Sequence, residues 1–261
     1  MEHVTINVED AVATVTLDYP EMRNALTSGV ATDLIAAMDA VPDEARCVVL
    51  AGAGPTFCAG GDINAMVEGL DSDAPNHERA RRIVEETAGA VRAVADCDLP
   101  TVAKIDGPAF GAGGALAVAC DVLLASADAK ISFGFRQVGL NVDSGASYFL
   151  PRMVGEHVAK ELIYTGELVD AERAENMGLF NRVYPAAEFD ERVASFVEQV
   201  ASGPTVALTQ SKRLVEQGIE SSLDAAIENE AAAQVVSATT DDHAEGVRAF
   251  VEEREADFRG A

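Results

Sequence analysis

Two glycine-rich turns hold the residues of this chain best suited to chemistry. The first lies in Leu50–Ile63, where Phe57, Cys58, Ala59, Gly60, Gly61 and Asp62 follow an apolar run, Cys47–Ala51. The second passes from Asp106-Gly107 through Phe110, Gly111, Ala112, Gly113 and Gly114 into a small-residue helical run, Ala115–Cys120. A turn of this kind at a helix start aims unpaired backbone N–H groups at one point, with the positive end of the helix dipole behind them. Such a point can hold a phosphate or stabilise an oxyanion. Spacing argues against the common phosphate cradles: Leu116 stands where a dinucleotide fingerprint needs its third glycine, and no Gly-Lys-Ser/Thr occurs. A Gly-x-Ser-x-Gly nucleophile elbow is also missing. Alone, either turn reads as tight packing of a helix on a strand. Two in one chain point to a built site.

The pair resembles, in order and spacing, the two signatures of the crotonase superfamily, the enoyl-CoA hydratase/isomerase family. Arg23-Asn24-Ala25-Leu26 is similar to that family's early Asn-Ala-Leu motif. Val138-Gly139-Leu140, Asp143-Ser144-Gly145, Phe149-Leu150-Pro151-Arg152, Thr165-Gly166-Glu167 and Gly178-Leu179 follow in the family's order, and Ala249–Phe258 resembles its C-terminal end. The resemblance implies an α/β architecture, a crotonase-like spiral of ββα units with a helical C-terminal region that packs trimers. It divides the chain into a core with the acyl-CoA site, residues 1–195, and a helical region for oligomer packing, residues 196–261. It also implies an acyl-CoA substrate, coenzyme A being part of that substrate and no separate cofactor being needed, and a homotrimer or dimer of trimers.

Roles follow from the same resemblance. The backbone N–H groups of Gly61 and Ala112 would stabilise the oxygen of a thioester enolate. Gly60, Gly111 and Gly113 would serve close backbone approach. Asp62 reads as a turn or helix cap rather than an acid. Hydratases of the family use two glutamates, and alignment puts Ala115 and Phe135 at those positions, where neither can transfer a proton. Asp143 is similar to the acidic residue of the isomerase branch, although Val142 replaces the usual proline and Gly145-Ala146 the usual Gly-Gly. In an apolar setting beside Phe135 and Val142, burial would raise its pKa and improve it as a base. The other reading makes Asp143 the cap of a helix starting at Ser144. Arg23, Ala25, Ala59 and Gly60 are the candidate CoA contacts near the loops. Arg254, flanked by Glu253 and Glu255, is the candidate at the C-terminal end. The activity implied is movement of an enoyl-CoA double bond by proton transfer through an enolate. A hydratase drawing its acid from elsewhere is the nearest alternative. A non-catalytic CoA-thioester-binding or scaffold protein is the alternative of another class.

Composition adds an environment. The chain carries 44 Asp and Glu against 19 Lys and Arg, a formal net charge of −25. Its lysines are Lys104, Lys130, Lys160 and Lys212 alone. Self-repulsion on this scale strains a compact fold at low ionic strength, and molar salt, with a screening length of about 3 Å, relieves it. Acid excess with lysine scarcity points to a cytoplasmic enzyme of a salt-in halophile; an ordinary acidic soluble protein is the plainer reading. No basic stripe suits nucleic acid or an anionic membrane. The most apolar stretch, Ala115–Ala127, is short and broken by Asp121, so no membrane span is expected. Cys47, Cys58, Cys97 and Cys120 are widely spaced and read as reduced core thiols. The four histidines show no ligand spacing, and no metal site is expected.

The elements that must position the loops are legible in part. Val4–Val8 and Val12–Leu17 alternate and read as a hairpin that begins the fold, not as a leader peptide. Ser28–Ala40 has helical periodicity with Thr27 or Ser28 as cap, and His77–Ala95 reads as one charged amphipathic helix after the flexible-looking Asp71–Asn76. Further βα units are expected around Thr101–Ile105, Val122–Ala125 and Arg182–Tyr184. From Phe189 onward the pattern is helical: 189–201, 204–216, 222–238 and 241–253. Periodicity alone is equally compatible with a doubly wound α/β domain.

Overall fold

A computed structural model describes all 261 residues. Strands β1 (Val4–Glu9) and β2 (Val12–Leu17) form the expected antiparallel hairpin, turned by Asp10 and Ala11 at φ 48° and 61°. Two consecutive left-handed residues match the right-handed twist of the flanking strands. A 3-10 turn, Pro20–Met22, leads to α1 (Ser28–Asp39), which Thr27 caps by accepting the Val30 N–H at 3.2 Å. Then come β3 (Cys47–Gly52), α2 (Ile63–Leu70), α3 (Asn76–Glu85), α4 (Thr87–Ala95) and β4 (Thr101–Ile105). They are followed by β5 (Pro108–Phe110), α5 (Ala112–Ala117), β6 (Val122–Ser126) and β7 (Lys130–Ser132). After a second 3-10 turn, Gly134–Val138, the chain builds α6 (Ala146–Thr165), β8 (Val169–Asp170), α7 (Ala171–Asn176) and β9 (Arg182–Tyr184). It closes with α8 (Phe189–Ala201), α9 (Thr205–Gly218), α10 (Leu223–Ser237) and α11 (Asp241–Val251).

The main sheet runs β1-β2-β3-β4-β6-β9, parallel from β2 onward, and a smaller sheet runs β5-β7-β8. Because β3 and β4 are parallel neighbours, the chain leaves both at the same edge of the sheet. Each then enters one of the glycine turns. Ligand sites of parallel α/β sheets form beyond the carboxyl ends of the strands for this reason.

Apolar packing covers both faces of the main sheet. One face carries α1, α4 and α5 through residues such as Leu34, Val91 and Leu116. On the other, Phe189, Val193, Val197 and Ala201 line one stripe of α8 and pack on Cys47, Val49, Val102 and Leu124. Residues 195 and 196 both lie within that helix. The peripheral helical region starts after Ala201, at Ser202-Gly203-Pro204. Arg46 ties it back to the core: its guanidinium donates to Thr205 Oγ1 at 2.8 Å, to the Gly203 carbonyl at 2.5 Å and to the Phe258 carbonyl at 3.1 Å. Lys212 of α9 pairs with Asp121 at 2.8 Å. Little else in α9–α11 is buried, and Val215, Leu223, Val235, Phe250 and Val251 are exposed.

One expectation changes. The single helix over His77–Ala95 is two, interrupted at Glu86 (φ −95°, ψ −91°). Helix α4 buries Ala90, Val91 and Val94, whereas α3 buries nothing, so docking holds one half and releases the other. The small sheet has strands of two or three residues, too short for alternation to announce them.

Candidate active site

The two glycine turns touch. Cys58 N donates to the Pro108 carbonyl at 3.2 Å, and Phe110 N donates to the Cys58 carbonyl at 2.9 Å. Glycine is required at the contact. A Cβ on Gly60 would stand 2.5 Å from the Phe110 carbonyl oxygen and 3.4 Å from Ala112 N. One on Gly113 would lie 2.8 Å from the carbonyl carbon of Cys58 and closer still to its oxygen. Gly60 and Gly111 also have φ of 95° and 56°, a region most side chains avoid. Gly111 N is held by the Ser132 carbonyl at 2.8 Å, and the first internal bond of α5 runs from Ala115 N to Gly111 O. Gly61 N and Ala112 N lie on the two touching turns, and neither donates to any acceptor in the chain. Free backbone donors of this kind are the groups that stabilise an anionic oxygen.

The Arg23–Leu26 motif supports this loop from beneath. Leu26 N donates to the Gly60 carbonyl at 2.7 Å, and Ala59 N donates to the Arg23 carbonyl at 3.0 Å. Asn24, fully buried, accepts from Tyr19 N at 2.9 Å and donates to the carbonyls of Ala53 (2.9 Å) and Thr56 (2.7 Å). Sequence reasoning assigned Asn24 no role, although a lone amide between a helical turn and an apolar motif is the signal for one. Arg23 and Asn24 have φ of 52° and 55°, and Asn24 is among the few residue types that tolerate this. Arg23, exposed, has no ion-pair partner within the chain. Arg23, Ala25, Ala59 and Gly60 are thus gathered at the loop. Arg254 is not: it pairs with Glu245 at 2.5 Å and Glu252 at 2.7 Å at the end of the chain.

Asp62 accepts from Asn64 N at 2.9 Å and Ala65 N at 3.2 Å, which makes it the cap of α2 as expected. Asp143 differs in kind. The helix beside it begins at Ala146 rather than Ser144, with Gly145 at the cap position and no side-chain cap. The Asp143 carboxylate accepts no backbone N–H, and its Oδ1 is buried without a partner. Burial pushes this carboxyl above the ordinary aspartate range. Helix α6 packs on α5, and Val142 and Ala146 share one apolar cluster with Ala112, Ala115 and Phe135. Ala115 and Phe135 are both buried, so no second carboxylate enters from either position. The cysteines are free thiols, with Cys47 and Cys58 pushed up to about 12 by burial and correspondingly inert.

Residues 7–261 match the family model described as enoyl-CoA hydratase/isomerase. The chain belongs to the enoyl-CoA hydratase/isomerase family. It is 35% identical to a Rhodobacter capsulatus protein named "Probable enoyl-CoA hydratase", over 100% of both chains. It is 30% identical to the 1,2-epoxyphenylacetyl-CoA isomerase of Escherichia coli, over 100% of this chain and 99% of that one. A crystal structure of enoyl-CoA hydratase from Bacillus anthracis superposes with a TM-score of 0.91 at 28% identity, covering 99% of this chain and 100% of the other. This enoyl-CoA hydratase/isomerase family member has the crotonase fold. No helix in it is long and apolar enough to cross a membrane.

Proposed function

We propose that this protein is an acyl-CoA isomerase that moves the double bond of an enoyl-CoA thioester by proton transfer through an enolate. The observation that carries the reading is the Asp143 carboxylate: half-buried, with Oδ1 enclosed and without a hydrogen-bond partner, and next to Val142, which packs against the apolar core that also holds Ala115 and Phe135. For a 3-enoyl-CoA, Asp143 takes a proton from C2, and the electron pair spreads over the chain to the thioester oxygen. Gly61 and Ala112 N–H hold that oxygen, a contribution of about 2.7–4 kcal/mol per donor. The proton returns from Asp143 to C4, leaving the 2-enoyl product. One carboxylate suffices because nothing is added or lost. Burial suits the group to this task, since a carboxyl raised toward neutral pH both accepts and returns a proton readily.

Arg23 is the cation for the CoA phosphates, with Ala25, Ala59 and Gly60 lining the adenine side. Arg254 reaches CoA only by leaving Glu245 and Glu252. The protein works as a cytoplasmic homotrimer or dimer of trimers, and the exposed apolar residues of α9–α11 are the surface available for that packing. Hydration of enoyl-CoA is the second reading, favoured by the name of the Rhodobacter relative. The test is a panel of 3-enoyl-, 2-enoyl- and epoxyphenylacetyl-CoA thioesters in molar KCl. Conversion of 3-enoyl-CoA, or isomerisation of the aromatic analogue, should outpace hydration of crotonyl-CoA. Hydration at ordinary enzymatic turnover with no isomerisation would overturn the proposal.

A further inference from the structure

Only three buried side-chain polar atoms in the chain lack a hydrogen-bond partner: Asp143 Oδ1, Ser144 Oγ and Glu167 Oε1. Two of them belong to adjacent residues. Ser144 is 5% exposed and sits at φ 51°, a left-handed conformation that serine rarely takes. The turn continues through Gly145 at φ 79°, and Ala146 N closes it on the Asp143 carbonyl at 3.0 Å. Left-handed geometry at Ser144 costs free energy, and burying its hydroxyl unpaired costs more. Glycine there would remove both penalties, so a purely structural turn gives serine no advantage.

We propose that Ser144 is the positioning residue for Asp143: its hydroxyl donates to the buried Oδ1 and fixes the carboxylate, leaving Oδ2 to handle the substrate proton. This inference rests on the reading of Asp143 as the base. Each orphaned atom is the chemical remedy for the other, a donor and an acceptor on adjacent residues. Burial and Ser144 are the influences acting on the carboxyl, burial raising its pKa and the hydroxyl lowering it; no charged side chain contributes. Ser144 thus sets how far burial carries the base upward.

The test uses the intact protein with its aspartates labelled with 13C at the carboxyl, Asp143→Asn identifying the resonance. Carboxyl titration needs no turnover, so it reads the inference even if isomerisation is absent, and the substrate panel reads isomerisation separately. Ser144→Ala should move the Asp143 titration to higher pH, and Ser144→Gly should do the same while fitting the left-handed turn without strain. Where turnover is measured, both variants should lose about tenfold in kcat with KM nearly unchanged. Should Ser144→Ala fold poorly, Ser144→Gly decides alone. A folded Ser144→Gly protein whose Asp143 titrates as in the parent protein overturns the proposal.

Discussion

Gly113→Ala tests whether the two loops form one site. The added methyl would lie 2.8 Å from both the carbonyl carbon and the Cβ of Cys58, and nearer still to the carbonyl oxygen. Backbone cannot rotate away as a flexible side chain does, so α5 must retreat from the Phe57–Gly61 turn by about 1 Å. A displacement of that size at a catalytic constellation costs about 100-fold in rate. The retreat separates Ala112 N–H from Gly61 N–H without removing the Asp143 carboxylate, so kcat for a 3-enoyl-CoA should fall by about that factor. Steady-state kinetics in molar KCl provides the assay, with circular dichroism to confirm folding. Gly69→Ala is the control, because a methyl there meets nothing within 4 Å, and it should leave the rate unchanged. A folded Gly113→Ala enzyme with the parent's kcat would refute the juxtaposition as the source of catalysis.

Asp143→Asn should lower kcat by about 10²–10⁴. The same change should raise Tm at pH 7: burial lifts the carboxyl's folded pKa above the usual 3.8, so its stabilisation belongs to the protonated form and is lost as pH climbs from there through the folded value. Scanning calorimetry at pH 4 and pH 7 should find the gain at the higher pH alone. Asn24→Ala strands the Tyr19 N–H and the Ala53 and Thr56 carbonyls and should destabilise by about 2–4 kcal/mol, visible in denaturant melts, whereas a loss under 0.5 kcal/mol would contradict the buried network. With a net charge of −25, the assembled protein should persist in molar KCl and dissociate or unfold in dilute buffer; light scattering that finds a monomer equally stable at low salt would refute the halophilic and assembly readings together.

Much of the site was legible because backbone chemistry leaves a compositional trace. Gly60, Gly111 and Gly113 sit where side chains would collide or φ is left-handed, and such positions show in a sequence as glycine. The Asp62 cap was legible for the same local reason. The β1–β2 hairpin and α8 were visible in their periodicity, β2 and α8 each having one face buried. What stayed hidden depends on distant partners. Nothing local marks Glu86 as a helix break, since docking of α4 on α1 sets it. Nor does the sequence show that α8 belongs to the sheet rather than to the C-terminal helices. Whether Asp143 capped a helix or stood free turned on where α6 begins, two residues later than expected. From sequence Ser144 reads only as the first residue of a helix, and nothing local shows that its hydroxyl is buried and unpaired.

In the proposed reaction the oxygen-stabilising half of the site is written in main-chain atoms and the proton-moving half in a side chain, so mutation would act on the two unequally. At Ala112 any residue except proline retains the N–H, provided it fits the buried space, so the anion-stabilising apparatus survives most sequence drift there. A single substitution at Asp143, by contrast, would delete the carboxylate that the proposed reaction uses while leaving the loop backbones in place. A lineage can therefore change what it does to a thioester while keeping how it steadies the charge. On that reading, the chemistry of this chain rests on a few side chains set on a frame of main-chain turns.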